Sequence, residues 1–457
     1  MVKTLDWILN SFEKYRKAFA LSFFFFGLPI VYFLRDGIKL APGNKVFTAA
    51  LTLGALFAAI PLKNFKRIYV PNIKIVTFTM IYWFFGVLYL AIYTPHLGWF
   101  TNPVVEAVNI FMILSAVYIF STVSINDIKD TFLPFTVIIS VVGCLGLLFI
   151  ILRNPAYVIG MRAGIAFDSG TEGTEVWSNP HIYGRAAFAG IVGIIIMLRQ
   201  KLSFLYKLML YGGGLVCFIV LVLTQSFQTF IAFGIFGMLY TYFNVNAGTF
   251  YRIYKWIFSW KGLLLFSVIA YGIFYLWNYT RFNEIAINLS DKIFERFDKV
   301  GNLFSGSKTS ATAAKYVTAD ESASQRITNI TQVFTNISDN WESGYWFKII
   351  IGNGYHHFYV DAPIFQTFND LGIFAFLSYL LIHIVIIKWS LKEFKEKNNL
   401  VILFLSYFFV HTFVQNFVFG MPYDYQRWTY FLFLGRFYTS QYFEFNTNYK
   451  LSNLQGS

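Results

Sequence analysis

The sequence predicts an all-α polytopic integral membrane protein, and three observations carry that prediction. Of its 457 residues, 57% are hydrophobic and only 13% are charged, against about 25% charged in an ordinary soluble domain. The mean hydropathy is +0.55. The apolar residues fall in runs long enough to cross a bilayer, separated by short polar connections, rather than in the alternations of a single soluble core. A soluble enzyme is thereby excluded.

A span of roughly 20 residues, taken as the criterion, gives about twelve helices, near 18–34, 46–62, 74–94, 104–123, 132–152, 182–198, 204–223, 228–245, 260–279, 364–388, 400–418 and 427–442. Lys and Arg set the orientation. Lys63, Lys66, Arg67 and Lys74 share one connection, Arg199, Lys201 and Lys207 a second, Arg252, Lys255 and Lys261 a third, and Lys388, Lys392, Lys395 and Lys397 a fourth. All four fall on the side of the basic amino end, whereas alternate connections such as TPHLGWFTNP and TQSFQ hold no Lys or Arg, so both termini are expected in the cytoplasm. The amino end, MVKTLDWILNSFEKYRK, is too long and too mixed in charge for a cleavable signal peptide and reads as a cap before a retained first helix.

The formal net charge of +13 belongs to these loops rather than to a nucleic-acid surface, and no nucleic-acid partner is expected. The 55 Phe residues read as lipid-facing or packing groups. Cys144 and Cys217 sit in apolar runs with no CxxC or Cys/His neighbourhood, so neither a disulfide framework nor a metal site is expected. No internal repeat of the kind found in many secondary transporters is visible.

Two expected outer connections are long: 153–181, and 280–363 between the ninth and tenth helices. They divide the chain into a first block of nine helices (1–279), a large helical periplasmic loop (280–363) and a last block of three helices with the carboxyl end (364–457). Long loops on a membrane scaffold commonly carry function. Ile285, Leu289, Ile293 and Phe297 recur every fourth residue and predict an interfacial amphipathic helix over 281–300. Residues 301–322 are rich in Ser, Thr, Gly and Ala and suggest a flexible lid. A second amphipathic helix follows, with Ile327, Ile330, Val333, Phe334 and Ile337 at helical spacing.

Candidate chemistry concentrates on the outer side. Arg153, Arg162, Asp168, Glu172, Glu175, His181 and Arg185 surround the first long loop; Arg281, Arg296, Arg326, His356, His357 and Asp361 belong to the second. An arginine fork binds phosphate oxygens with paired charge-assisted bonds and stays charged beside a membrane, so Arg326, Arg185, Arg281 and Arg296 are candidate diphosphate contacts. The segment GNGYHHFYVDAPIF supplies a Gly-rich turn (Gly352, Gly354, Tyr355), a His pair (His356, His357) suited to proton transfer near neutral pH, and Asp361, either a general base or an N-cap ahead of Pro363. Trp177, Trp341, Trp346 and Tyr355 read either as sugar-stacking groups or as interfacial belt anchors.

Three pieces carry a resemblance over roughly residues 100–440: SNPHIYGRAAFAG at 178–190, the order QRITNITQVFTNISDN then IIIGNGY, and DAPIFQTFNDLGIFAF at 361–376. Together the pattern resembles the bacterial O-antigen polymerase and O-antigen ligase superfamily. That resemblance implies a metal-independent glycosyltransferase without cofactor, taking an undecaprenyl-diphosphate-linked glycan as donor at the periplasmic face of the inner membrane. The same lipid-linked glycan is the implied acceptor, with membrane lipids around it and a flippase and chain-length regulator as associated partners. It places Arg326 and Arg185 on the diphosphate and Asp361, His356 or His357 as base in an inverting displacement. Ligases that load lipid A core typically carry His-Asn where this chain has Asp361-Ala362, which favours a polymerase; the adjacent His pair keeps the ligase alternative. The Arg of the family's frequent Ser-Arg-Gly helix start is absent from Ser226-Phe227-Gln228-Thr229, so its role is either lost or taken by Arg185.

Overall fold

The computed structural model describes residues 2–61, 67–93, 103–154, 157, 161–168, 175–178, 180–280, 283–284, 286–287, 290–291, 294, 321–439 and 442–444. Each of the twelve expected segments overlaps a helix, but those near 46–62, 228–245 and 427–442 fall on helices that do not reach the length and apolarity of a membrane span. In chain order these are α1 (Val2–Phe26), α2 (Leu28–Tyr32) with a π-helical turn Phe33–Gly37, α3 (Lys45–Ala58), α4 (Ile73–Tyr93), α5 (Pro103–Thr122), the single turn α6 (Ile125–Ile128), α7 (Phe132–Arg153), α8 (Pro180–Met197), α9 (Phe204–Thr224), α10 (Phe227–Asn244), the amphipathic α11 (Ala247–Ile257), α12 (Trp260–Tyr279), α13 (Glu321–Glu342), α14 (Trp346–Ile351), α15 (Pro363–Glu396), α16 (Leu400–Val418) and α17 (Tyr425–Phe437). Among the described residues eight helices are long and apolar enough to cross a membrane, and α1 with the bent continuation to Gly37 makes a ninth if counted as one span. The protein is therefore an all-α polytopic membrane protein.

Two antiparallel ribbons accompany the helices: β1 (Arg67–Tyr69) pairs with β4 (Tyr442–Glu444), and β2 (Ile165–Asp168) with β3 (Glu175–Ser178). The first explains why α17 stops at Phe437, short of the expected 442: Thr439 donates its hydroxyl to the Val70 carbonyl and the chain enters the ribbon. Helix α3 likewise ends at Ala58, where Arg16 donates to the Ala58 and Ile60 carbonyls at 2.6 Å each, satisfying acceptors a helix terminus leaves open.

Helix α8 sits at the centre, and its small residues explain how. A Cβ at Gly184 would stand 2.8 Å from Thr229 Oγ1, one at Gly190 2.6 Å from Cys217 Sγ, and one at Gly193 2.7 Å from Val137 Cγ2. Helices α7, α9 and α10 therefore approach closer than any larger side chain would permit. Cys144 and Cys217 are buried packing residues on α7 and α9.

Two breaks in helices shape the expected outer end. The chain bends by 70° between α1 and α2, where Gly27 and Pro29 end one helix and start the next. Inside α15, Gly372 takes φ +73° and ψ −171°, interrupting the helix. The carbonyls released there are met by the Gly-rich turn, with Asn353 N donating to Asn369 O (2.9 Å) and Gly354 N to Asp370 O (3.0 Å). Tyr89 in turn donates to the Gly352 carbonyl at 3.1 Å. Backbone crosses backbone here: a Cβ at Gly352 would meet the Asp370 carbonyl, and one at Gly372 the Ile350 carbonyl.

Helix α13 spends its apolar face on the segment before α15: Val333, with Ile330 and Ile337, packs on Val360, Ala362, Phe358 and Phe365, and Asn329 Nδ2 donates to Tyr359 O at 2.8 Å. The expected interfacial helix over 281–300 falls largely, and the expected lid over 301–322 almost wholly, outside the described residues. By contrast α12 buries almost nothing, exposing Leu263, Phe266, Ile269, Tyr271 and Phe274, as a lipid-facing helix does.

The crossing at Gly372 gives a direct test. Gly372→Ala forces an L residue into a strained backbone and into the Ile350 carbonyl, and is expected to cost about 2–4 kcal/mol. Gly234→Ala, with nothing within 4 Å of the added Cβ, should match wild type in the same thermal-unfolding measurement in detergent.

Candidate functional site

A cavity of about 730 Å³ opens between the α1–α2 bend, α3, α5, α8, α16 and the start of α17. One side is apolar, formed by Phe25, Phe26, Leu28, Pro29, Val105, Val108 and Met112. The other carries Arg35, Lys45, Arg185, His181, His411, Gln228, Gln415, Asp424 and Gln426. Arg35, Lys45, His181, Gln228, Asp424 and Gln426 lie at or near helix ends, whereas His411 lies within α16.

Arg185 holds the middle. The small residues around it on α8 bring this cation into the bundle, where Nη1 donates to Gln426 Oε1 at 2.7 Å and the guanidinium lies 5.4 Å from the centre of the Phe408 ring. Among the described residues its buried Nε has no hydrogen-bond partner. Near it, Gln228 leaves both amide atoms and His411 its Nδ1 without partners among the described residues, although both are almost completely buried. Buried polar groups are normally satisfied, so these atoms are open to a ligand or to water in the cavity they line.

Lys45 adds positive charge from the α2–α3 side, where the charge of Arg35 is matched by Asp36. Arg35 pairs with Asp36 (2.6 Å) and donates to Thr48 Oγ1 at 2.7 Å. Asp36 also accepts from Gly43 N at 2.9 Å, closing the turn that presents Lys45. His181 stacks on Phe419 with centroids 3.8 Å apart. Its Nε2 faces Arg162 Nη2 at 2.9 Å and its Nδ1 faces Ser226 Oγ at 3.1 Å. A guanidinium only donates, so Nε2 is the acceptor and the ring is neutral with its proton on Nδ1.

No protein-family model matches the chain, and neither a curated protein nor a solved structure matches it. Functional assignment therefore stands on the cavity itself.

Of the residues the sequence nominates, Arg185 lines the cavity and the GNGYHH segment does not. Gly352 and Gly354 serve the backbone crossing at Gly372. Tyr355 donates to Glu106 Oε2 at 2.7 Å, and His356 Nε2 stands 3.6 Å from Glu106 Oε1. Tyr423, whose ring centroid lies 3.9 Å from that of Tyr355, donates to Asp370 Oδ2 at 3.0 Å. Burial pushes both phenols well above their ordinary value, so they remain donors. His356 thus belongs to a buried network joining α5 to α15. His357 is exposed, and partial desolvation together with Lys348 holds it below the ordinary imidazole value.

Asp361 is neither a lining residue nor a helix cap. The N-cap of α15 is Ala362, without a side-chain bond. Asp361 adopts φ +56° and accepts from Gly420 N at 2.7 Å and from Tyr359 Oη at 2.5 Å, tying the loop after α16 to the segment before α15. Arg326 lies on the first turns of α13, with its side chain outside the described residues; Arg281, Arg296 and Glu172 are outside them altogether. Trp341 and Trp346 stack at 4.9 Å, exposed and away from the cavity.

Sequence reasoning missed Arg35, Lys45, Gln228, His411, Asp424 and Gln426, which come from five separate elements. The signal available was polarity inside apolar segments, such as His411 in α16, which in a membrane span is a functional flag.

The two bonds on Asp361 yield a prediction. Asp361→Ala strands the Gly420 amide and places Ala in left-handed backbone, costing about 2–4 kcal/mol. Asp361→Asn tolerates that backbone and retains an acceptor, so its thermal-unfolding midpoint should stay close to wild type.

Proposed function

We propose that the protein is a membrane-embedded glycosyltransferase that takes a polyprenyl-diphosphate-linked glycan as donor and polymerises lipid-linked repeat units at the outer face of the bacterial inner membrane. The observation that carries this reading is Arg185: a guanidinium with an unpartnered Nε, inside a cavity that also holds Arg35 and Lys45 and is apolar along one side. Such a cavity suits a ligand with a dianionic head and an isoprenoid tail. The head exchanges water for charge-assisted hydrogen bonds, and the tail extends along Phe25, Phe26, Val105, Val108 and Met112.

In the reaction, an acceptor hydroxyl displaces the diphosphate from the anomeric carbon in one step, inverting the configuration. Negative charge grows on the departing diphosphate. Arg185 answers it from a fixed position, because Gln426 and the face of Phe408 hold the guanidinium before the substrate arrives, and such prearranged charge is effective in a site shielded from water. Gln228 and His411 offer further polar atoms to the sugar or the phosphate. The outer-face placement rests on the Lys and Arg distribution together with the position of the cavity at the opposite helix ends.

The test is transfer by purified protein supplied with lipid-linked oligosaccharides from the producing cells, followed by gel and mass spectrometry. A ladder of repeat-unit multiples is the expected product. Arg185→Ala should lower turnover about 100–1,000-fold, while Lys392→Ala, on an exposed side chain remote from the cavity, should leave it intact. A single transfer to a lipid A core acceptor would replace the polymerase with a ligase. No transfer at all would remove the glycosyltransferase reading.

A further inference from the structure

The displacement requires a group to accept the proton of the attacking hydroxyl. Resting on the glycosyl-transfer reading, we propose that Asp424 is that general base. Among the described residues lining the cavity it is the carboxylate; the other candidates are cations, have both ring nitrogens engaged or, for His411, are fully buried beside the Arg185 cation, where a second positive charge is costly. Arg35, Lys45 and Arg185 are cations with no lone pair to offer. Both ring nitrogens of His181 are engaged, by Arg162 and Ser226. His411 is fully buried, within electrostatic reach of Arg185, with Nε2 at 3.3 Å from Thr229 Oγ1.

Asp424 has capacity to spare. One oxygen, Oδ1, accepts from Gln426 N at 3.0 Å and caps α17, whereas a carboxylate has about four lone-pair sites. Asp424 is half-buried at the cavity wall. Gln426, two residues on, receives Arg185 Nη1, so the carboxylate and the cation occupy one mouth while belonging to separate helices. The two charges form no ion pair within 4 Å among the described residues, which leaves Asp424 Oδ2 for the acceptor and the guanidinium for the diphosphate.

The step balances. The acceptor oxygen bonds to the anomeric carbon, and the bond from that carbon to the diphosphate oxygen breaks with its electron pair going to the diphosphate. The hydroxyl proton passes to Asp424 Oδ2 and then to water.

A plain helix cap accounts for the same geometry, and Asp424→Asn separates the two roles. Asn caps helices as well as Asp but accepts no proton at this strength. The expected result is turnover lowered about 100–10,000-fold, with an unchanged thermal midpoint and with affinity for sugar-free undecaprenyl diphosphate within about threefold of wild type. Turnover within about threefold of an active wild type would make Asp424 a cap alone and overturn the proposal. Loss of undecaprenyl diphosphate binding in the variant would overturn it too, by making Asp424 a binding group. An inactive wild type would instead overturn the glycosyl-transfer reading, and this inference with it.

Discussion

Inside a bilayer no water is available to satisfy a backbone amide or carbonyl, so a helix breaks only where another part of the protein takes over its hydrogen bonds. Both breaks at the expected outer end obey that constraint, and the rest of the site follows from them. At the first, Tyr183 donates to the Pro29 carbonyl at 3.2 Å. Gly143 of α7 lets Pro29 approach to where an added Cβ would stand 2.7 Å from it, and Gly146 packs tightly on Phe33, at 3.0 Å from such a Cβ. The 70° bend turns Leu28, Pro29, Tyr32 and Arg35 onto the cavity wall. At the second, the amides of Asn353 and Gly354 replace the helical donors lost at Gly372, and the GNGYHH segment is thereby pinned to the bundle.

That pinning gives the most chemically suggestive stretch of sequence a structural role. Once Gly352 is locked against Gly372, Tyr355 and His356 are directed at Glu106 on α5, and Asp361 is drawn to Gly420. Each is held by a partner far along the chain: 249 residues separate Tyr355 from Glu106, and 59 separate Asp361 from Gly420. A buried carboxylate holding a backbone amide and a phenol gains more from those bonds than it would as an exposed base.

The same distances mark what could be read from the sequence. The apolar segments overlap helices because hydropathy is local, and the ends that moved, at Ala58 and Phe437, moved for tertiary reasons: Arg16 reaching across to cap α3, and the strand Tyr442–Glu444 pairing with Arg67–Tyr69. Arg185 was legible because an arginine fork suits phosphate and because it follows the Asn-Pro of SNPHIYGRAAFAG at the expected outer start of its helix. Asp424 was not. A Pro-Tyr-Asp before a helix is the signature of a cap, and only the fold places that cap beside Arg185. Arg35, His411 and Gln228 each lie in a segment that local pattern explains as a span, so their convergence is a property of the bundle and not of any window of sequence.

Burying a guanidinium costs several kcal/mol even after relaxation, and each unsatisfied buried polar atom adds about 1–3 kcal/mol. Arg185, Gln228 and His411 accumulate such costs around one cavity, while the packing beneath them is dense and aromatic, with Phe408, Tyr430 and Phe188 in contact. A sequence under pressure for stability alone would replace these groups with apolar residues of similar volume. Their presence in a membrane interior, where that replacement is easiest, argues that the stability is recovered when a ligand arrives. Cationic and amide donors call for an anionic, oxygen-rich ligand, and the apolar opposite wall calls for a tail; the cavity is matched to a molecule that carries both.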